Sequence, residues 1–147
     1  MASNLRELLN EFDAQKYATD VGNAMHEKLR RVRVLSDCDK VDCELKKRIE
    51  SCAGVAVFFT ENAQVEVPIA GIINGYFVSR RIDRLVIDNE NKIVRILDYK
   101  TDVDKVTRRE KYIAQLSEYE KLMRQIYPKY EIEKYILWLH DWELEKL

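Results

Sequence analysis

The stretch Arg81–Thr101, RIDRLVIDNENKIVRILDYKT, constrains the fold more than any other part of the 147-residue chain. Apolar and polar residues alternate on both sides of the polar turn Asn89-Glu90-Asn91-Lys92, the pattern of two strands joined as a hairpin. With Glu90 and Asn91 as a two-residue loop, Asn89 opposes Lys92, and the same register sets Asp83 opposite Asp98. Directly opposed residues have Cβ atoms roughly 4.5–5.5 Å apart, so two carboxylates face each other. Strand alternation groups Asp83 with Leu85 and Ile87, and Asp98 with Val94 and Ile96. Both acids therefore lie on the apolar side, at the end far from the turn. Lys100 follows Asp98 by two residues and points the same way, while Tyr99 points to the opposite face.

The rest of the chain supplies the surroundings for this hairpin. Residues Asn4 to about Lys16 have helical spacing, with Leu5, Leu8, Leu9 and Phe12 on one face. Thr19 or Asp20 can cap a second helix reaching about Leu35, its apolar face being Val21, Met25, Leu29 and Val32. A third helix is expected from Val41 to Cys52, with Leu45 and Ile49 inward. From Val55 the apolar residues become β-branched or aromatic and come in short runs. Strands are expected at Val55–Phe59, Ala63–Ile69, Tyr76–Ile87 and Lys92–Tyr99. Helical spacing returns at Tyr112, Gln115, Leu116, Tyr119, Met123 and Ile126, and a last strand covers Ile132–Leu139. This order predicts an α/β (α+β) domain, a mixed central β-sheet flanked by helices, with the helix before the last strand as a crossover. One domain is expected over residues 1–147: a helical part over 1–52 and a sheet core with the crossover helix over 53–147.

Composition narrows the class. With 46% hydrophobic and 35% charged residues, the balance is that of a soluble globular domain. No apolar run approaches the roughly 20 residues of a membrane span. Cys38, Cys43 and Cys52 form neither a C-x-x-C pair nor a disulfide framework, and a cytoplasmic protein is expected. The net charge of −1 gives no overall attraction to nucleic acid. Basic residues nevertheless cluster at Lys28–Arg33, Lys46–Arg48, Arg80–Arg84 and Lys105–Lys111, where solvated helix faces are the plainer explanation.

Two acids side by side on a buried face repel each other and lose hydration. A divalent cation removes both costs, and Mg²⁺ prefers carboxylate oxygens. A lysine beside such a pair can hold a water or a phosphate oxygen. A strand-end Asp–Lys salt bridge, with the second acid exposed near an edge, remains the alternative.

Five ordered patterns now stand together: Gly22-x-x-x-His26, Glu66-x-Pro68, Arg81-Ile82-Asp83-Arg84-Leu85, Leu97-Asp98-Tyr99-Lys100-Thr101 and Gln115-x-x-x-Tyr119. In this order the chain resembles the nuclease domains of RecB- and AddA-like recombination enzymes, of the PD-(D/E)XK superfamily. The resemblance spans Gly22 to Tyr119. It implies a restriction-endonuclease-like core and a Mg²⁺- or Mn²⁺-dependent DNA nuclease, an exonuclease of recombination or repair, with DNA and a helicase subunit or domain as partners. It implies Asp83, Asp98 and Lys100 as catalytic residues, and His26, Asp83, Asp98 and the Tyr99 carbonyl as metal ligands. Gln115 and Tyr119 would line the DNA channel, and Glu66 would stand just behind the ligands. An inactive DNA- or helicase-binding module of the same fold is the alternative, and a partner-binding protein using the Asn4–Phe12 face is a third. Relatives often carry glycine just before the x-Ile-Asp segment, where this chain has Ser79-Arg80; its nearest glycine is Gly75. Some hold an iron–sulfur cluster on four cysteines; with three clustered ahead of the strands, none is expected here.

Overall fold

The computed structural model describes residues 22–147. The expected Asn4–Lys16 helix with its leucine face, and the caps Thr19 and Asp20, lie outside them. The first described helix, α1, occupies residues 22–30 and buries Leu29; Val32, just beyond it, is buried too. The expected third helix is α3 (Cys43–Ser51), and a separate short helix, α2 (Cys38–Val41), precedes it. They part at Asp42, whose backbone is extended and whose carboxylate accepts the Glu44 N–H at 3.0 Å, an N-cap that starts α3 afresh. Leu45 and Ile49 face inward.

The strand expected at Val55–Phe59 is instead a single 3-10 turn at Ala56–Phe58. Val55, Phe58 and Phe59 are buried in one cluster. Their i, i+3, i+4 spacing is helical, whereas a strand would send Phe58 and Phe59 to opposite faces.

The sheet holds β1 (Ala63–Ile73), β2 (Tyr76–Asp88), β3 (Ile93–Lys100), β4 (Glu131–Trp138) and β5 (Glu143–Lys146), in that spatial order. All neighbours are antiparallel except β3 and β4, which run parallel. The helix α4 (Arg109–Ile126) is the crossover that a parallel pair requires. The result is the expected mixed sheet flanked by helices. β5 has no periodic signal in the sequence: Glu-Leu-Glu-Lys offers one apolar side chain, Leu144, too little for a period to show. Among the described residues no helix is long and apolar enough to cross a membrane.

Asn74 and Gly75 link β1 to β2 with φ of 51° and 83°, the two positive values of a type I′ hairpin turn. Gly75 thus serves the turn, six residues or more before the Ile82-Asp83 segment. Between β2 and β3 the loop is four residues, not two. The pair Asp88↔Ile93 closes it, Lys92 takes φ 55°, and the Asp88 carboxylate accepts the Asn91 backbone and side-chain N–H groups at 3.0 and 2.8 Å. The register survives this change. Arg84 pairs with Leu97, and one step further Asp83 stands opposite Asp98.

Two apolar layers sandwich the sheet. One joins α1, α3 and the 3-10 turn to Ala63, Val86, Leu97, Tyr99, Leu137 and Leu139. The other joins α4 to Ile69, Ile82, Leu85, Ile87, Val94, Ile96, Ile132, Ile136 and Trp138. Regular alternation fails at one place. Ile82 and Leu85, three residues apart, face the same layer, as do Ala63 and Val86 in the opposite one. The break falls at Asp83 and at its cross-strand neighbour Glu66, which has φ 51°.

Candidate metal centre

The break in alternation decides which acids meet. Asp83 does not simply follow Leu85 and Ile87 toward α4, as strict alternation predicts; it lies where both strands change faces and is reached from both layers. From the α1 side, His26 Nε2 lies 3.4 Å from Asp83 Oδ1 and 3.5 Å from Glu66 Oε1. From β3, the Tyr99 backbone N–H donates to Asp83 Oδ2 at 2.9 Å. His26, Glu66 and Asp83 offer ligand atoms within 4.8 Å of one another. Gly22 permits the approach of α1: a Cβ there would overlap the Thr101 side chain at the end of β3.

On the α4 side, Lys100 Nζ lies 2.7 Å from Asp98 Oδ2 and donates to Gln115 Oε1 at 2.8 Å. Gln115 Nε2 in turn donates to the Tyr119 hydroxyl at 2.8 Å, and the Tyr112 ring centroid is 4.1 Å from Lys100 Nζ. Gln115 and Tyr119, one helical turn apart, therefore extend a chain that begins at Asp98. Tyr119 is also a core residue, packed among the α4 apolar residues.

The electrostatics of the two aspartates diverge. Asp98 is pushed up to about 7, by burial first and then by the negative charge of Asp83; Lys100 only partly offsets this. Burial also pushes Asp83 upward, but the His26 contact, the Tyr99 N–H and the His26 charge together hold it below the usual range. The Asp83 contact and the surrounding carboxylates raise His26, against burial.

Two buried polar atoms here, His26 Nε2 and Asp98 Oδ2, lack an aligned hydrogen-bond partner; the Lys100 contact on Asp98 is an ion pair without that alignment. Buried polar atoms are almost always paired, so unpaired ones invite a ligand. The donor set fits a divalent cation: its carboxylate oxygens suit Mg²⁺ or Mn²⁺, while the one imidazole nitrogen favours a transition metal over Mg²⁺. Cis ligands around Mg²⁺ at 2.0–2.1 Å lie about 3 Å apart, close to the His26 separations. A protonated His26 paired with Asp83 accounts for the same contacts without a metal.

Arg84 is the residue that spacing could not reveal. It is fully buried, and each of its five N–H groups finds an acceptor. Nε donates to the Tyr99 hydroxyl at 2.7 Å. Nη1 donates to Phe58 O at 2.8 Å and Arg33 O at 3.2 Å, and Nη2 to Leu29 O at 3.0 Å and to Val32 O. The Phe59 ring centroid is 4.0 Å from the guanidinium carbon. Arg84 thus ties the C-terminal end of α1, the helix carrying His26, to the strand carrying Asp83. Tyr99, which it holds, meets the His26 ring edge-on with centroids 5.3 Å apart. In sequence Arg84 reads as one more surface cation of a basic cluster. Other members of those clusters are engaged elsewhere: Lys28 with Asp42, Arg80 with Glu118, Lys105 with Asp141 and Glu143.

The cysteines stand apart from the centre. Cys38 is buried and Cys43 exposed, and the Cys52 thiol donates to Trp142 O at 2.9 Å. No protein-family model matches the chain, and no curated protein matches it in sequence.

Proposed function

We propose that the protein is a Mg²⁺- or Mn²⁺-dependent deoxyribonuclease that hydrolyses phosphodiester bonds, an exonuclease of DNA recombination or repair with a restriction-endonuclease-like core, acting in the cytoplasm. The observation that carries this reading is the meeting of His26, Glu66 and Asp83 with the Asp98–Lys100 pair, where two buried polar atoms lack an aligned hydrogen-bond partner.

When bound by His26, Glu66, Asp83 and Asp98, the cation would supply Lewis acidity and a hydroxide near neutral pH. The chain's own groups do the positioning. Lys100, braced by Asp98 and Gln115, presents positive charge to a phosphoryl oxygen and offsets the charge that builds there. Gln115 is fixed at both ends of its amide, by Lys100 and Tyr119, so the lysine has one favoured placement. The Tyr99 N–H orients the Asp83 carboxylate.

The test is cleavage of end-labelled single- and double-stranded DNA with Mg²⁺ or EDTA, for the parent, Asp98→Asn and Lys100→Ala. Mg²⁺-dependent cleavage lost in both variants is expected. A parent that binds DNA but does not cut it would place the chain with inactive modules that hold DNA or a helicase.

A further inference from the structure

The outer face of the β1–β2 hairpin leads away from the acid cluster. Beyond the break at Glu66 and Asp83, one face of the hairpin packs on α4: Val67, Ile69, Ile73, Val78 and Ile82 belong to or touch that layer, and Gly71 sits against Leu122 and Gln125. The other face carries three cross-strand pairs, Pro68↔Arg81, Ala70↔Ser79 and Ile72↔Phe77. All six residues are exposed. At the inner end Arg81 Nη1 lies 3.7 Å from Glu66 Oε2, so the strip is continuous with the cluster. At the outer end Phe77 and Ile72 are 72% and 54% exposed. Asp83 lies six residue steps along the strand from Phe77, about 20 Å.

We infer that this strip seats an unpaired nucleic-acid strand, with Phe77 stacking on a base and Arg81 holding a phosphate, so that the strand is led to the acid cluster. The inference rests on the nuclease reading for its destination. Large exposed aromatics backed by small residues form a stacking platform, and stacking needs bases free of a duplex. A duplex is held chiefly by many Lys and Arg contacts to phosphate, and this strip carries one arginine, beside Glu66. A second copy of the chain is a poorer occupant, because six side chains offer far less than the roughly 1,200 Å² of a stable interface. Edge pairing through β1 is hindered by Pro68, which has no N–H to donate.

The experiment measures binding without cleavage. A labelled oligothymidylate and a blunt duplex are titrated with the parent, Phe77→Ala, Phe77→Trp and Arg81→Ala in EDTA, by fluorescence anisotropy. Phe77→Ala is expected to weaken oligothymidylate binding by about tenfold, with Phe77→Trp restoring it, duplex affinity moving less than twofold, and melting temperature unchanged. Arg81→Ala should flatten the salt dependence by about one phosphate contact. Equal oligothymidylate affinity for the parent and Phe77→Ala, or a parent that does not bind the single strand, overturns the strip. A parent that is a dimer in solution, and a monomer as Phe77→Ala, also overturns it in favour of a second copy. Mg²⁺-dependent cleavage by the parent, measured separately, decides the nuclease reading whichever way the strip falls.

Discussion

The two layers on either side of the sheet are built on different principles. The α4 layer is one 18-residue helix laid over β-branched strand residues, and its cohesion comes from apolar area. The α1 layer is made of short pieces, none longer than nine described residues, and a buried guanidinium stitches α1 and the 3-10 turn to the sheet through backbone carbonyls. Apolar packing tolerates small shifts, whereas five directed hydrogen bonds do not. The layer that must deliver His26 to Asp83 within a few ångströms is the one held by directed bonds.

Removing Arg84 should break this contrast most severely. Arg84→Met keeps much of the side-chain volume but leaves the carbonyls of Leu29, Val32, Arg33 and Phe58 and the Tyr99 hydroxyl without their donor. Unsatisfied buried groups cost about 1–3 kcal/mol each, and solvent can reclaim only some of them. The expected loss is about 3–5 kcal/mol, the sum of a few such unsatisfied groups, read as a lower midpoint in urea. Any folded fraction should bind Mn²⁺ more weakly in calorimetry, because His26 is no longer fixed. A variant as stable as the parent would mean that the α1 layer is held by packing, like its counterpart.

Lys100→Ala separates the centre from both layers. Lys100 contacts Asp98, Gln115 and the Tyr112 ring but lies at the end of β3, outside the two apolar clusters. Cleavage should fall about 10²–10³-fold, with DNA affinity in EDTA nearly unchanged because other cations share the phosphate contacts. If Lys100 served only as the partner of Asp98, the variant would melt earlier and cut at the parent rate.

Leu116→Ala probes the α4 layer in its own terms. Leu116 is fully buried, and its truncation should cost roughly 2–3 kcal/mol, at the low end for such changes because a single helix can settle toward the sheet. Mn²⁺ affinity should hold, in contrast to Arg84→Met. Equal losses of metal affinity in both variants would show that the layers do not divide the work as described.

The same contrast explains what the sequence disclosed. The α4 layer was legible because a helix with period 3.6 and strands with period 2 write themselves into residue order. The hairpin register was legible as well: even with the loop length wrong, the pairing that sets Asp83 against Asp98 did not change. Short pieces leave no such trace. Val55–Phe59 looks like a strand because its residues favour strands, but tertiary burial of Val55, Phe58 and Phe59 in one cluster overrides propensity. Arg84 carries no periodicity at all. Its role depends on four carbonyls contributed by residues 26 to 55 positions away. Strict alternation also concealed the face switch at Glu66 and Asp83, which lets an imidazole from one layer and a carboxylate facing the other share a site.

The smallest effect tests the surface of the α1 layer. Asp42 caps α3 through the Glu44 N–H and accepts Lys28 Nζ of α1 at 2.7 Å, so it links two of the short pieces. The Lys28 hydrogen bond, then the Glu44 N–H, hold its carboxyl below the ordinary value. A group depressed in the folded state adds stability that is fully present above its unfolded pKa, near 3.9, and is lost as pH falls through its lower folded value. Asparagine is itself a good N-cap, so Asp42→Asn removes the ion pair and keeps the cap. At pH 7 the variant should be slightly less stable than the parent in urea, and the gap should close as pH falls below about 4. Comparing the two proteins at each pH cancels the shared acid response of Asp37, Asp88 and Asp104, whose carboxyls are also depressed by local hydrogen bonds. High salt at pH 7 should shrink the gap as well, because both partners sit near the surface and are screened. A gap of the same size at pH 7 and pH 2 would mean that Asp42 acts through its shape at the helix start, and that its charge contributes nothing to joining α1 to α3.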